Sequence, residues 1–220
     1  MTRHDTLHAA FMITFLVGFA AGAPAAQEPR SDTQGVKETE KFVKEGDDLT
    51  HKVGEAKAQV ESTLTAYNTL VSGSSKNMKK DYDRLLKELK NMDEKAADAR
   101  TQVGDMEEAG KTYFAGRATT IAAIQDPQLK AQAEQRLKES QKQHADVLSS
   151  LRSAGQSLDP IRKDLNDQIK FLGSDLNPGA AATLAPKAKE LNERGKTNLA
   201  KADEAINAAN TYFNSMRPSK

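Results

Sequence analysis

Between Met78 and Arg117 the chain repeats in sevens. Met78, Leu85, Met92, Ala99, Met106 and Tyr113 form one row. Tyr82, Leu89, Ala96, Val103, Gly110 and Arg117 form the other, and only Arg117 in either row is charged. Two rows interleaved at spacings of three and four make the inward seam of a long packed helix. A helix with one apolar stripe cannot bury it alone, so the rest of the chain has to supply partners.

Matching seams are present on both sides. A first helix is expected from about Val36 to Val71, with Val53, Ala56, Val60, Leu64, Tyr67 and Val71 inward. Gly46 and Gly54 weaken its early part, each by about 1 kcal/mol relative to Ala. Ser72-Gly73-Ser74-Ser75 reads as a short turn, with one Ser capping the helix that follows. The second helix runs to about Ile124 and stops at Asp126-Pro127, because a residue before proline disfavours helical geometry. The third is expected from about Gln128 to Leu172. Its rows are Leu137, His144, Leu151, Leu158, Leu165, Leu172 and Ala133, Ser140, Val147, Ala154, Ile161, Gln168. Pro160 lies inside this pattern, yet both rows keep phase across it, which predicts a helix kinked near Gln156–Pro160, with a true break as the alternative. After a turn at Asp175–Gly179, a fourth helix is expected from about Ala180 to Ser215, starting later if Pro186 sets its first turn. Leu184, Ala188, Leu191, Gly195, Leu199, Ala202, Ile206, Ala209 and Phe213 are its inward set.

Short connections between long helices favour antiparallel neighbours. The expected fold is all-α: an elongated antiparallel up-down bundle of about four long helices with spectrin-like coiled-coil seams. Helices of about 35–48 residues would span roughly 52–72 Å. Folding the turns back gathers Tyr67, Tyr82 and Phe171 at one end, and Phe42, Tyr113, Phe114, Tyr212 and Phe213 toward the other. Composition agrees: 29% of the 220 residues are charged, 5% are aromatic and Trp is absent, as suits long helices with thin cores.

The first residues read as an export signal. Arg3 precedes an apolar run from Ala9 to Ala21, and Ala23-Pro24-Ala25 offers a small-x-small cleavage site. The run is shorter than the roughly 20 residues a spanning helix needs. Residues 1–26 are therefore expected to be a cleaved secretory signal and 27–35 a flexible leader. Residues 36–216 would form a single bundle and 217–220 a frayed tail. A soluble exported protein follows, periplasmic in a double-membrane bacterium, with no membrane span in the mature chain. A net charge of +1 built from interspersed signs argues against a nucleic-acid surface. The absence of Cys excludes disulfides, thiolate nucleophiles and Cys-ligated zinc.

The run Asp159-Pro160-Ile161, then Asp167-Gln168-Ile169-Lys170-Phe171-Leu172, then Leu176-Asn177 resembles the C-terminal signature of an uncharacterised bacterial family. That family is a domain of unknown function found in exported, coiled-coil-rich helical proteins. Val53-Gly54-Glu55-Ala56, Tyr82-Asp83-Arg84-Leu85 and Gln132-Ala133-Glu134-Gln135-Arg136-Leu137 are similar as well. The chain departs from the pattern at Gly173-Ser174-Asp175, where relatives tend to carry Lys-His-Asn, and at Pro178. The resemblance implies a long helical fold and export, and no known activity.

No catalytic constellation stands out. There is no nucleophile elbow and no Gly-rich phosphate loop after a strand. Asp48 precedes His51 by one turn, but a di-iron bundle needs such a motif twice plus two further Glu. His144 sits in a seam row and reads as a packing residue. A His–Met haem pair is formally open, since Met78, Met92 and Met106 face inward, but such a row is usually core filler. No catalytic, metal or cofactor residues are assigned. Gln168, a polar member of an apolar row, is expected to set register between the third and fourth helices. The candidate partner-docking tip comprises Tyr67, Tyr82, Phe171, Leu172, Leu176 and Asn177. The expected role is a non-enzymatic scaffold or adaptor binding another envelope protein, with self-association left open. A periplasmic holdase gripping client chains between helices is the alternative.

Overall fold

The computed structural model describes residues 32–217. The expected signal over 1–26 lies outside them, as do residues 27–31 and 218–220. Six helices follow in order: α1 (Asp32–Val71), α2 (Met78–Ala122), α3 (Pro127–Gln156), α4 (Leu158–Ser174), the short α5 (Pro178–Thr183) and α6 (Ala185–Met216). No strand occurs among the described residues. Helix α1 packs on α2 and α6, and α3 packs on the same two, so α3 lies diagonally across from α1. Cross-helix pairs fix the directions. Thr63 on α1 donates to the Glu88 carbonyl on α2, and Arg100 on α2 meets Asp159 on α4. Asn198 on α6 meets Ala154 on α3, and Asn68 on α1 meets Asn192 on α6. Each neighbour runs antiparallel to the last. The bundle is up-down-up-down and elongated: the 45 residues of α2 alone span about 67 Å.

The helix ends follow local chemistry. Val71 closes α1, and Gly73 takes φ 75°, a left-handed conformation that suits a residue without Cβ. The cap of α2 is Asn77 rather than a serine of the preceding turn: its side-chain oxygen accepts from the Lys80 amide at 3.0 Å. Asp126 caps α3 by accepting from Gln128 and Leu129, with Pro127 in the first turn as its missing N–H allows. Pro186 does delay the last long helix; the chain turns first through α5, then through Leu184. Asp32 is already helical inside the stretch expected as leader, and Arg217 of the expected tail holds Asp47 at 2.6 and 2.8 Å.

The kink is present and confined. Ser157 alone separates α3 from α4, and its backbone stays in the right-handed helical region at φ −68°, ψ −11°. Pro160 has no N–H to give the Gln156 carbonyl, and its ring crowds that oxygen. The hydrogen bond from the Ser157 amide to the Ser153 carbonyl survives at 3.0 Å. Asn198 holds the bend from across the bundle, donating to the Ala154 carbonyl at 2.9 Å and to Ser157 Oγ at 2.8 Å. Both inward rows continue through it: Leu151, Ala154, Leu158, Ile161 and Leu165 are all buried.

Two seams depart from their expected membership. On α2 the buried row passes from Gly110 to Phe114 and Ile121, leaving Tyr113 half-buried and Arg117 exposed. A straight helix drifts about 20° per heptad against a strict seven-residue repeat. After five heptads the drift amounts to one position, which moves the buried face from Tyr113 to Phe114. On α6, Asn198, Ala205 and Tyr212 are buried, whereas Leu199 and Ile206 are only half-buried.

The buried side chains form two cores. One centres on Tyr67, Leu70, Leu85, Met92, Leu165 and Leu191. The other centres on Phe42, Leu49, Met106, Leu151, Ala209 and Phe213. Between them lies a waist of small residues at the level of the kink.

Candidate functional site

At the tip, the six residues singled out by the sequence divide by exposure. Tyr67 is fully buried, and its hydroxyl donates to Gln168 Oε1. Burial pushes the Tyr67 phenol above its ordinary range. Gln168, expected to register the third helix against the fourth, is instead satisfied by a tyrosine from the first, and the pair locks α4 to α1. Tyr82 is half-buried and donates to the Ile169 carbonyl at 3.2 Å. A methyl group on Gly173 would lie 2.4 Å from that hydroxyl, so glycine is what lets the two approach. Leu172 belongs to the core, and Leu176 is half-buried against it. Asn177 caps α5 by accepting from the Ala180 amide at 2.9 Å and donates to Asp175. Phe171 is different: it is 43% exposed. It borders a groove between α4 and α6 that also carries Asp164, Asp167, Lys187, Glu190 and Arg194. Tyr67 and Tyr82 therefore gather with Gln168 and Ile169, while Phe171 turns outward.

The opposite end assembles the expected aromatic group. Phe42 stacks on Tyr113 with centroids 4.4 Å apart and meets Phe114 and Phe213 edge-on at 5.8 Å. His144 sits among Phe42, Phe114 and Tyr212. It is buried, and its Nε2 has no hydrogen-bond partner. Desolvation holds this imidazole below the ordinary histidine value, against the opposing pull of its hydrogen bond to the Met106 backbone. Burial likewise pushes Tyr212 up to about 12. His51, by contrast, is exposed and lies 3.4 Å from Glu55, one turn on, rather than against Asp48. No group of three or more His, Asp or Glu able to hold a metal occurs among the described residues.

The waist holds a feature the sequence rows did not single out. A cavity of about 340 Å³ lies between the two cores, lined largely by Ala, Gly and Val. Its exposed lining residues, Arg100, Gly104, Arg152 and Gln156, all come from α2 and α3. Those from α1 and α6, such as Ala56, Val60, Asn198 and Ala202, are half-buried or buried. The cavity therefore opens between α2 and α3. Arg100 pairs with Asp159 at 2.7 Å on one side of that opening, and Arg152 pairs with Glu107 on the other. In the antiparallel register Gly104 and Gly155 stand opposite each other between the two pairs. A methyl group added to either would touch nothing within 4 Å. The sequence carries one signal for this window: two glycines inside helices, off the seam rows, where glycine costs about 1 kcal/mol.

No helix among the described residues is long and apolar enough to cross a membrane. No curated protein and no solved structure matches the chain. A family model described as a protein of unknown function (DUF2959) matches residues 30–216. All six described helices lie within that match, and so the chain belongs to the DUF2959 family.

Proposed function

We propose that this protein is a non-enzymatic scaffold or adaptor of the bacterial envelope, docking a protein partner at the α4–α6 tip. The carrying observation is Phe171: a large aromatic 43% exposed beside a groove rimmed with both signs of charge. Interfaces concentrate their energy in such aromatic anchors, surrounded by a polar rim that excludes water. Buried Tyr67 and Leu172, with half-buried Tyr82, hold the anchor on a rigid base. The apolar run and small-x-small site near the N-terminus support export. The test is a photo-crosslinking residue at position 171 in cells, with one at Leu129 as control; Leu129 is 57% exposed but lies at the other end. One recurrent envelope protein should be captured from position 171 and not from 129, and Lys187→Glu with Arg194→Glu should abolish the adduct. Equal or absent adducts at both positions would sink the reading.

The waist cavity favours a second reading, a holdase that shelters client segments between helices. At about 340 Å³ it admits a few side chains rather than a stretch of backbone. Suppression of aggregation of a thermally unfolded client is the measurement. A protein without effect at several-fold excess is not a holdase.

A further inference from the structure

We propose that the waist cavity is a binding site for a single-chain anionic amphiphile of the fatty-acid type. The alkyl chain would lie between the two cores and the carboxylate at the Arg100–Arg152 mouth. The site is independent of the tip; it uses the cavity of the client-sheltering reading but does not rest on that reading.

The interior is suited to hydrocarbon. Val53, Val60, Leu151 and Leu158 line it together with alanines. Its buried polar side chain, Asn198, spends its amide hydrogens on the Ala154 carbonyl and Ser157 Oγ. An apolar cavity of about 150 Å³ stays dry and accepts benzene, and this one is roughly twice that size. The mouth is built as well. The ion pairs Arg100–Asp159 and Arg152–Glu107 are two helical turns apart on each helix, about 10 Å along the axis. They frame Gly104 and Gly155, whose missing side chains leave the passage clear.

Unused guanidinium donors select the head group. The lining carries Lys57, Arg100 and Arg152 and no carboxylate, because the acids that pair with them lie outside it. Each mouth arginine gives its acid one Nη2 contact, and a guanidinium has five N–H donors in a planar fork. Donors remain for a carboxylate arriving between them, where Arg recognises it well. A cationic head would find no carboxylate in the lining, and Asp159 and Glu107 are already engaged by the two arginines.

The test is calorimetric titration with dodecanoate, dodecanol and dodecylamine. Dodecanoate should bind one molecule per chain, and dodecylamine at least about tenfold more weakly, the factor one charge-assisted hydrogen bond is worth. Filling the window with Gly104→Leu and Gly155→Leu should weaken dodecanoate by about tenfold or more in a chain that keeps its helical spectrum. Arg100→Gln with Arg152→Gln should erase the preference of carboxylate over alcohol. If the leucine variant does not fold, Gly104→Cys provides a single thiol in a chain that has none, and dodecanoate should slow its alkylation. Absence of dodecanoate binding, or equal binding of the amine, would overturn the proposal. So would full affinity in the filled variant, or alkylation at an unchanged rate.

Discussion

At the aromatic end, Gly46 and Gly110 stand where a methyl group would strike a ring. The added carbon would lie 2.5 Å from Phe213 and 2.4 Å from His144. At the waist, Gly104 and Gly155 stand where it would strike nothing within 4 Å. All four are helical glycines of one bundle. In the first region the missing side chain is replaced by a neighbouring ring, and the helices approach closely. In the second it is replaced by space, and the helices are kept from closing by the larger residues of the cores on either side. Glycine thus marks tight approach in one region and an opening in the other.

That contrast can be broken or sharpened by substitution. The largest effect is expected from Phe213→Ala, which empties the space over Gly46: a loss of about 3–5 kcal/mol in denaturant unfolding. Alanine at Gly46 or Gly110 should cost about 1–2 kcal/mol, because overpacking outweighs the gain in helix propensity. A rise in stability at either site would mean that the rings yield freely. Alanine at Gly104 or Gly155 should do the opposite and add up to about 1 kcal/mol, seen as a higher melting midpoint. Destabilisation there would show the window to be narrower than the contacts indicate.

The smallest effect concerns His144 and pH. Burial lowers the folded-state pKa below the 6.5 of the unfolded chain. The stability supplied by the neutral ring is fully present above 6.5, and falls as pH drops through the window between 6.5 and the folded value. Unfolding midpoints measured at about pH 8 and about pH 5.5 should differ in that direction, and His144→Leu should remove part of the difference.

Much of the fold was legible because helical periodicity is a local property. The rows around Pro160 keep phase, and the observed helix bends there without losing its face. The aromatic group at one end followed from counting residues back from the turns. The candidate tip was legible as a neighbourhood but not as a surface. Tyr67 and Phe171 look equally apolar in a row of letters; one is fully buried under Gln168 and the other is 43% exposed. Asn198 was overlooked because a polar residue on α6 reads as outward until the bend at Ser157 gives it partners. The exchange of Tyr113 for Phe114 on α2 came from extending a strict heptad through a helix that drifts against it.

By itself, the sequence determined that this chain forms long amphipathic helices, where they stop, and that they fold back on one another. Each of those depends on residues within a few turns: apolar spacing, caps and prolines. Only the tertiary structure decided which glycines admit a ring, which stand beside a cavity, and which arginines frame its mouth. Those properties depend on residues brought in from other helices, and no spacing along a single helix encodes the distance to its neighbour.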